Sequence, residues 1–339
     1  MPLKKINLNN FRSFDNLTKT LGTKNLILGK NGAGKSSLLE AIFFLFKSKS
    51  FRTSSLNSLI NFDSPNFLAE GLFNDSKISI YKEKGGRLKN LSESPEIKKI
   101  ILPMVINNFS LNLLEAPKEN RRSFVDYLLF HVEQDYKKNY SYFKKALAQR
   151  NRALKKGSLN EVKSWTNVFV DSSLLITKSK LNLITFFIEN FGSFLASIDL
   201  PERLKKKYEA VTIKYYQGWE ENLLEELREV YSKDKIRGYS SLGPQTSDLS
   251  IKINSQDSGN ILSRGEQKVL ILLIYLFFIN NKYESNIDEF ILLVDDLPSE
   301  LDDINLEIAL KALRKTKYQL FITSLERIEK YEFDCVIDL

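Results

Sequence analysis

The sequence predicts an α/β fold that is interrupted by a mainly helical segment. Strand and helix patterns alternate from residue 249 onward, which is typical of a parallel α/β sheet. Near the N-terminus, a glycine-rich loop lies directly between an apolar strand pattern and an apolar helix pattern. Residues 118–191 contain one glycine, Gly157, and no proline, and their apolar side chains recur at helical spacing. We therefore expect an inserted α-helical domain within one α/β domain.

The N-terminal part is predicted to form strands and one helix. Strands are expected at 3–8, 25–28 and 77–81, and a helix is expected at 38–46 (LLEAIFFLF). Residues 82–99 are charged and predicted to be a loop. The Gly85-Gly86 pair within it predicts a hairpin turn.

The later parts of the chain contain further strand and helix patterns. Strands are predicted at 210–215, 249–253, 290–294, 318–322 and 335–339, and helices at 266–279 and 303–313. The apolar face of the helical segment is predicted from Leu174, Leu175, Leu181, Ile184, Phe187 and Ile188.

The composition excludes several classes of protein. With 42% hydrophobic and 12% aromatic residues, the chain can form a large core and is not disordered. The longest apolar run, 269–279 (VLILLIYLFFI), is shorter than the roughly 20 residues of a membrane span and predicts a buried helix. The first residues form no apolar signal region, so we expect a cytoplasmic protein with no membrane partner.

The rarity of cysteine and histidine limits the chemistry. One cysteine excludes an internal disulfide framework and a cysteine-rich zinc site, and one histidine excludes a histidine-cluster metal site. Any reaction must therefore use carboxylates, lysine, hydroxyls, backbone amides or a bound ion.

Residues 29–36 (GKNGAGKS) satisfy the phosphate-loop pattern GxxxxGK[ST]. The glycines allow successive backbone N–H groups to curl around an anion, and the following helix N-terminus adds its dipole. Lys35 is expected to reach the β- and γ-phosphates of ATP, and Ser36 to offer its hydroxyl to Mg²⁺. The predicted ATP-binding residues of this loop are Gly29, Asn31, Gly32, Gly34, Lys35, Ser36 and Ser37.

An apolar strand that ends in two acids, residues 290–296 (FILLVDD), supplies the expected partner motif. We expect Asp295 to bind Mg²⁺, through a water, and Asp296 to position the attacking water. Many ATPases have glutamate at the second position. Aspartate is one methylene shorter, so we predict a weak ATPase with Lys35, Asp295 and Asp296 as its catalytic residues.

Positive charge is concentrated in residues 137–156, although the whole chain carries a formal net charge of only +8. This stretch has no acidic residue, and apolar side chains at helical spacing predict an amphipathic helix. Its basic face has three interpretations, a solvated surface, a phosphate-binding stripe for DNA or an anionic membrane surface, and charge alone does not separate them. The basic residues are Lys137, Lys138, Lys144, Lys145, Arg150, Arg152, Lys155 and Lys156.

Residues 262–267 (LSRGEQ) resemble the signature loop of ABC-type ATPases, and residues 298–302 (PSELD) resemble their D-loop. The resemblance implies an ABC-type P-loop ATPase head with an inserted α-helical domain. It also implies that Ser263, Gly265 and Gln267 contact the ATP of a second subunit, which gives an ATP-dependent homodimer. The expected parts are an N-terminal head part at 1–112, a helical arm at 113–205 and a C-terminal head part at 206–339.

Over the whole chain, the sequence resembles the RecF family of bacterial recombination proteins. This resemblance implies sequence-independent duplex DNA binding, in recombinational repair and at replication forks, at the bacterial nucleoid. ATP-bound heads would clamp DNA, hydrolysis would release it, and RecO and RecR would act with the protein in loading RecA. The segments that carry the resemblance are 8–14 (LNNFRSF), 120–126 (NRRSFVD), 130–133 (FHVE), 146–155 (ALAQRNRALK), 243–244 (GP) and 263–268 (SRGEQK).

Some positions depart from the family pattern. Residues 106–110 (INNFS) replace the usual Pro-Glu-Asp-like stretch, and Gln245 follows Gly-Pro where histidine is usual. At a later strand end, Thr323 or Ser324 is available to contact the γ-phosphate.

Three rival functions remain. The first is an ATP-gated binding head with negligible turnover, which slow chemistry at Asp296 favours. The second is the ATPase subunit of a phage-defence nuclease, which usually carries an appended acidic nuclease module. The third is an ABC transporter head, which the helical insert and its basic face disfavour.

Overall fold

A computed structural model of the chain describes residues 2–133, 135–281, 289–329 and 331–339. Phe109, His131, Val132, Glu289 and Glu300 are described by their backbone only. The described chain divides into two units by its internal contacts. Unit 1 combines Met1–Leu111 with Asn286–Leu339, and unit 2 is Asn112–Ser285.

The described strands follow the chain in this order: β1 (Lys5–Phe11), β2 (Phe14–Thr20), β3 (Lys24–Leu28), β4 (Asn66–Leu72), β5 (Lys77–Glu83), β6 (Leu88–Asn90), β7 (Ile101–Ile106), β8 (Val211–Tyr216), β9 (Asp248–Ile253), β10 (Gln256–Asp257), β11 (Glu289–Val294), β12 (Gln319–Ser324) and β13 (Cys335–Asp338).

The described helices are α1 (Lys35–Lys47), α2 (Ile97–Ile100), α3 (Asn108–Leu111), α4 (Lys118–Val132), α5 (Tyr136–Lys156), α6 (Leu159–Ala196), α7 (Glu202–Glu209), α8 (Leu223–Glu229), α9 (Tyr231–Arg237), α10 (Ser258–Ile261), α11 (Arg264–Asn280) and α12 (Asp303–Arg314).

Unit 1 contains a parallel sheet with the strand order β13-β3-β12-β11-β7. β12 and β7 are buried along their whole length, as expected for parallel strands that are covered on both faces. The register pairs Val294 of β11 with Ile322 of β12, and Ser324 of β12 with Leu28 of β3. The carboxyl ends of these three strands therefore lie side by side.

An antiparallel sheet, β2-β1-β4-β5-β6, completes unit 1. Helix α1 contacts strands of both sheets and is buried over most of its length. Phe44 of α1 meets Phe11 of β1 and Phe67 of β4, with ring centroids 6.2 and 5.5 Å away. These contacts fix the helix that follows the phosphate loop.

The predicted hairpin turn is confirmed, because β5 pairs with β6 in antiparallel fashion and Gly85 has φ 73°. The rest of 82–99 is more ordered than expected, since it contains β6 and α2. Glycine is favoured at position 85 because residues with a side chain seldom adopt this left-handed conformation.

Unit 2 contains α4–α11 and a three-stranded antiparallel sheet, β10-β9-β8. The apolar run in α11 is buried, and Phe277 packs against Phe187 and Phe191 of α6 with centroids 5.4 and 5.6 Å away. No helix among the described residues is long and apolar enough to cross a membrane.

The border expected between residues 205 and 206 does not separate the two units. Residues 206–285 cluster with residues 112–205, because β8 pairs with β9 inside unit 2 and α11 packs against α6. The predicted arm at 113–205 is therefore one part of unit 2.

The predicted apolar face of α6 is only partly buried. Ile184 and Phe187 lie in the core, whereas four members are largely exposed: Leu174 (50%), Leu175 (51%), Leu181 (43%) and Ile188 (60%). The buried face instead includes Ser172, Ser173 and Lys180. It tolerates Lys180 because the ammonium pairs with Asp126 of α4 at 2.8 Å.

Candidate functional site

The phosphate loop connects β3 to α1. Gly32 and Gly34 have φ values of 86° and 103°, which glycine adopts without strain. A Cβ atom on Gly34 would lie 2.6 Å from the ring of Phe14, and one on Gly29 would lie 2.9 Å from Cβ of Ala33. No side chain caps α1, so its first N–H groups remain available to an anion.

A cavity of about 720 Å³ opens above this loop, within unit 1. Its volume lies within the usual range for sites that take small molecules and cofactors. One group of lining residues comes from the loop and the strand ends: Lys30, Asn31, Gly32, Gly34, Lys35, Ser36, Ser37, Asp295 and Asp296. A second group comes from other segments: Arg12, Ser13, Arg52, Asn57, Ser58, Ile60, Asn61, Phe62, Ser64 and Lys84. All of the predicted loop residues except Gly29, together with both aspartates, thus line one cavity.

The ammonium of Lys35 lies against the phosphate loop itself. Its Nζ donates to the carbonyl oxygens of Gly29 at 2.6 Å and Lys30 at 3.2 Å. These two contacts hold the Lys35 ammonium at the loop, and both partners are neutral carbonyl oxygens.

Ser36 and Asp295 meet through a direct hydrogen bond. The Ser36 hydroxyl donates to Asp295 Oδ1 at 3.0 Å, and the Thr323 hydroxyl donates to the same oxygen at 2.8 Å. Thr323 also accepts from the backbone N–H of Asp296 at 2.7 Å. The adjacent ends of β3, β12 and β11 bring these groups together. A hydroxyl beside a carboxylate, with room for phosphate oxygens, fits the oxygen ligands that Mg²⁺ takes in nucleotide sites.

Asp296 differs from Asp295 in both exposure and backbone. Its side chain is exposed and lines the cavity, and its φ of 55° lies in the left-handed region. Residues other than glycine seldom adopt this conformation, and such positions cluster at functional sites. The left-handed backbone immediately after β11 therefore sets the direction of the Asp296 side chain.

Two arginines of the cavity share one buried carboxylate, which sequence reasoning missed. Arg12 binds Glu40 through two parallel hydrogen bonds, with Nε to Oε2 at 2.8 Å and Nη2 to Oε1 at 2.9 Å. Arg52 lies 3.8 Å from the same carboxylate, which Ser50 also contacts. The Glu40 side chain is fully buried. The sequence does contain a signal for this carboxylate, because Glu40 is the one charged residue in the apolar stretch 38–46.

Phe62 is the second residue that sequence reasoning missed. Its side chain is 91% exposed, yet it lines the cavity beside Asn61. A single exposed apolar side chain is common on protein surfaces, but this one is an aromatic ring at the edge of the cavity. The available signal was a single aromatic residue in the polar stretch 61–66 (NFDSPN).

The signature-like loop lies in unit 2 and begins α11. Ser263 caps the helix by accepting from Glu266 N at 3.3 Å, while Glu266 Oε2 accepts from Ser263 N at 2.9 Å. Gly265 is in the first turn. The side-chain amide of Gln267 donates to the carbonyls of Leu262 and Gly259, so it holds the preceding loop. Gln267 is therefore engaged within the protein rather than facing outward.

The basic face of α5 is solvent-exposed at seven of its eight predicted positions: Lys137, Lys138, Lys144, Lys145, Arg152, Lys155 and Lys156. At about 100° per residue, these seven side chains fall within one third of the helix circumference. In the part of the chain that the structure describes, none of them forms an ion pair. They extend over about 29 Å, at 1.5 Å per residue.

Arg150 corrects the predicted DNA-binding set. It lies on the opposite side of α5 and is 1% exposed. It binds Asp234 of α9 at 3.1 Å and Thr166 of α6 at 3.0 Å, and it also contacts Ser240. Its guanidinium joins three segments of unit 2 and is not part of the basic face.

Comparison with known proteins adds to this geometry. Residues 2–336 match the family described as RecF/RecN/SMC N terminal domain. The DNA replication and repair protein RecF of Haemophilus ducreyi is 31% identical over 346 residues, covering 96% of this chain and 92% of that protein. This chain belongs to the RecF family. A RecF protein of Actinobacillus pleuropneumoniae is 30% identical over 344 residues, covering 96% and 93%.

Solved RecF structures are similar over the whole chain. One, a structure of the recombination mediator protein RecF-ATPrS in the RecFOR pathway, has a TM-score of 0.81 and 25% identity, covering 100% of this chain and 96% of that one. A RecF-ATP structure of the same pathway has a TM-score of 0.80 and 24% identity, covering 100% and 97%. The predicted fold class and family are confirmed.

Two departures from the RecF pattern have local structural roles. Asn107 accepts from Ser110 through both its N–H at 2.9 Å and its hydroxyl at 3.0 Å, and so it begins α3. Gln245 donates to the carbonyls of Ser240 at 3.1 Å and Leu242 at 2.8 Å. Each side chain therefore shapes its own loop. The Phe109 side chain lies outside the described residues.

Proposed function

We propose that this chain is an ATP-dependent, sequence-independent duplex-DNA-binding protein of bacterial recombinational repair and replication-fork maintenance. The hydrogen-bonded set of Ser36, Asp295 and Thr323 beside the phosphate loop carries the proposal, because it joins phosphate and metal ligands at one cavity. The relatives support the biological context, since they are named for DNA replication and repair and for ATP-bound RecF in the RecFOR pathway.

Lys35 and Phe62 bind opposite ends of ATP in this proposal. The Lys35 ammonium exchanges its two carbonyl partners for oxygens of the β- and γ-phosphates. The exposed ring of Phe62 provides a flat apolar surface for the base. Arg12 and Arg52 add positive charge to the same cavity and are held by Glu40.

Ser36 and Asp295 would hold Mg²⁺. When bound, the ion neutralises charge on the β- and γ-phosphate oxygens. Asp296 accepts a hydrogen bond from the attacking water and orients it, and Thr323 fixes the backbone that carries Asp296. Because aspartate reaches less far than glutamate, we expect weak turnover.

Head dimerisation follows from the second anion site. Ser263 and Gly265 lie at the N-terminus of α11, where unpaired N–H groups and the helix dipole favour a γ-phosphate bound by a second copy. In this proposal ATP joins two heads, the dimer clamps duplex DNA, and hydrolysis releases it. The protein would act with RecO and RecR in the cytoplasm, at the nucleoid, and assist RecA loading.

The basic face of α5 supports duplex DNA as the partner. Its seven exposed cations can neutralise phosphates, which confers affinity without reading sequence. We expect a log–log slope of the binding constant against salt of about −0.9 per phosphate contact. A salt-independent affinity would contradict this part of the proposal.

A second candidate is an ATP-gated binding head with negligible turnover of its own. The short side chain of Asp296 favours it, because an aspartate carboxylate reaches less far toward the attacking water than the glutamate of many ATPases. Phosphate release separates the two candidates. Binding and dimerisation without release would favour the gated head.

Molecular mass in solution tests the proposal. Light scattering would compare the full chain with ATP, with ADP and without nucleotide, each with and without duplex DNA. We expect a dimer with ATP only, a more persistent ATP dimer and tighter DNA binding for Asp296→Asn, and a monomer for Lys35→Ala. Constant mass in every condition would overturn the ATP-dependent dimer.

A further inference from the structure

Ile236 is an isolated apolar side chain on a charged surface. It lies near the end of α9 and is 88% exposed, between the exposed side chains of Lys235 and Arg237. Tyr239 is 50% exposed two residues after Arg237. Leaving an isoleucine in water forgoes the stabilisation that its burial would bring, so this position suits a partner that covers it.

The segment that carries Ile236 is firmly attached to α5. Asp234 pairs with the buried Arg150 at 3.1 Å, and the backbone N–H of Ser240 donates to Asn151 at 2.8 Å. A Cβ atom on Gly238 would lie 2.9 Å from Cγ of Lys155. Ile236 is therefore held at the C-terminal end of the basic face of α5.

The segment that carries Ile236 and the end of α5 are both basic, while the exposed acids Glu225 and Glu229 lie on the preceding helix, α8. The segments 152–157 and 233–239 contain one acidic residue, Asp234, which is fully buried against Arg150. The exposed cations of these segments are Arg152, Lys155, Lys156, Lys233, Lys235 and Arg237. Charge complementarity therefore favours a polyanion as the partner that covers this surface.

We propose that Ile236 is a wedge that enters the minor groove of bound duplex DNA and partly unstacks one base step. The proposal rests on the duplex binding proposed above. An isoleucine gains nothing from phosphates. The apolar surfaces of a duplex are the thymine methyl groups and, at an opened step, the faces of the bases, which are the larger of the two. Insertion of such side chains between base steps partly unstacks the step and kinks the DNA. Lys235 and Arg237 would hold the flanking phosphates.

Mismatched base steps give a direct test, because less free energy is needed to unstack them than to unstack matched steps. Fluorescence anisotropy of the full chain with ATP and Mg²⁺ would compare a matched 30-base-pair duplex with one that carries two adjacent T·T mismatches. We expect the wild type to bind the mismatched duplex about tenfold more tightly. Ile236→Ala is expected to bind both duplexes equally, with an unchanged melting temperature.

Two variants control for general effects. Leu174→Ala removes another exposed apolar side chain of unit 2 and is expected to keep the tenfold preference. Arg237→Gln is expected to weaken binding to both duplexes by the same factor. Two outcomes would overturn the wedge while leaving the proposed function intact: the wild type binds duplex DNA without any preference for mismatches, or Ile236→Ala keeps the preference. In either case a protein becomes the better candidate for the partner that covers Ile236. If the wild type binds neither duplex, the proposed function fails with the wedge.

Discussion

Arg150 and Arg152 are two residues apart in one helix, and that separation turns their side chains by about 200°. Arg150→Ala is expected to lower the free energy of unfolding by about 3–5 kcal/mol, because Asp234 would remain buried without its partner. Arg152→Ala is expected to leave stability unchanged and to reduce the salt slope of DNA binding by about one. Urea unfolding and anisotropy at several salt concentrations measure the two effects. Equal destabilisation by both variants would contradict the assignment of Arg150 to a buried ion pair and of Arg152 to the exposed basic face.

Phe62 offers a second test at the scale of one residue. Phe62→Ala is expected to weaken ATP binding by about 0.5–1.5 kcal/mol through loss of the aromatic contact with the base. Binding of inorganic triphosphate, which has no base, is expected to remain unchanged. Calorimetric titration distinguishes the two ligands. Leu91→Ala, another exposed apolar residue of unit 1, is the control and is expected to bind both ligands normally.

Sequence reasoning located the phosphate loop, Asp295 and Asp296 because short motifs contain their own geometry. It did not find the Arg12–Glu40 pair, because the two residues are 28 positions apart and meet only after β1 packs near α1. It placed Arg150 on the basic face because it counted charge along the helix. The angular position of Arg150 on the helix already indicated the buried side.

At the scale of elements, Asp248 couples α4 to β9 and makes the stability depend on pH. Its carboxylate accepts from Arg121 Nε at 2.9 Å and Nη2 at 3.0 Å. Burial alone would raise the pKa of Asp248, but the hydrogen bonds and charge of Arg121 lower the pKa below its ordinary value. The unfolded chain therefore takes up this proton first as the pH falls.

The pair thus contributes stability above pH ~4, and the contribution is lost as the pH falls through the lowered pKa. Asp248→Asn is expected to be less stable than the wild type at pH 6 and equally stable at the acidic end. Urea midpoints between pH 6 and pH 3 measure the difference. A gap that stays constant with pH would show that Asp248 acts through its shape rather than its charge.

Elements with uniform patterns were predicted well, as α1, α11 and β11 illustrate. Others were missed for identifiable reasons. β7 contains Pro103, which weakens a strand pattern, although the strand is buried and pairs with β11. In α6 the buried face contains Lys180, which pairs with Asp126 of α4, while several leucines remain exposed. A pattern of hydrophobicity cannot show that a distant carboxylate makes a buried lysine acceptable.

For the whole molecule, we expect nucleotide to stabilise the two units unequally. All described residues that line the cavity belong to unit 1. ADP at 100 times its Kd is expected to add about 2.7 kcal/mol to the unit that binds it. Hydrogen exchange would detect slower amides in α1 and β12 with little change in α5. Equal protection of α5 would contradict separate responses of the two units.

The division of unit 1 between both ends of the chain also affects its synthesis. The ribosome makes the phosphate loop first, then all of unit 2, and only afterwards β11 and β12. At ordinary translation rates the interval between Ser36 and Asp295 is roughly 13–52 s. During that time Ser36 has no Asp295 to bind, and β3 lacks both strands that flank it in the finished sheet. A nascent chain interrupted before Asp295 would therefore carry the whole phosphate-loop sequence without the carboxylate proposed to hold Mg²⁺ together with Ser36.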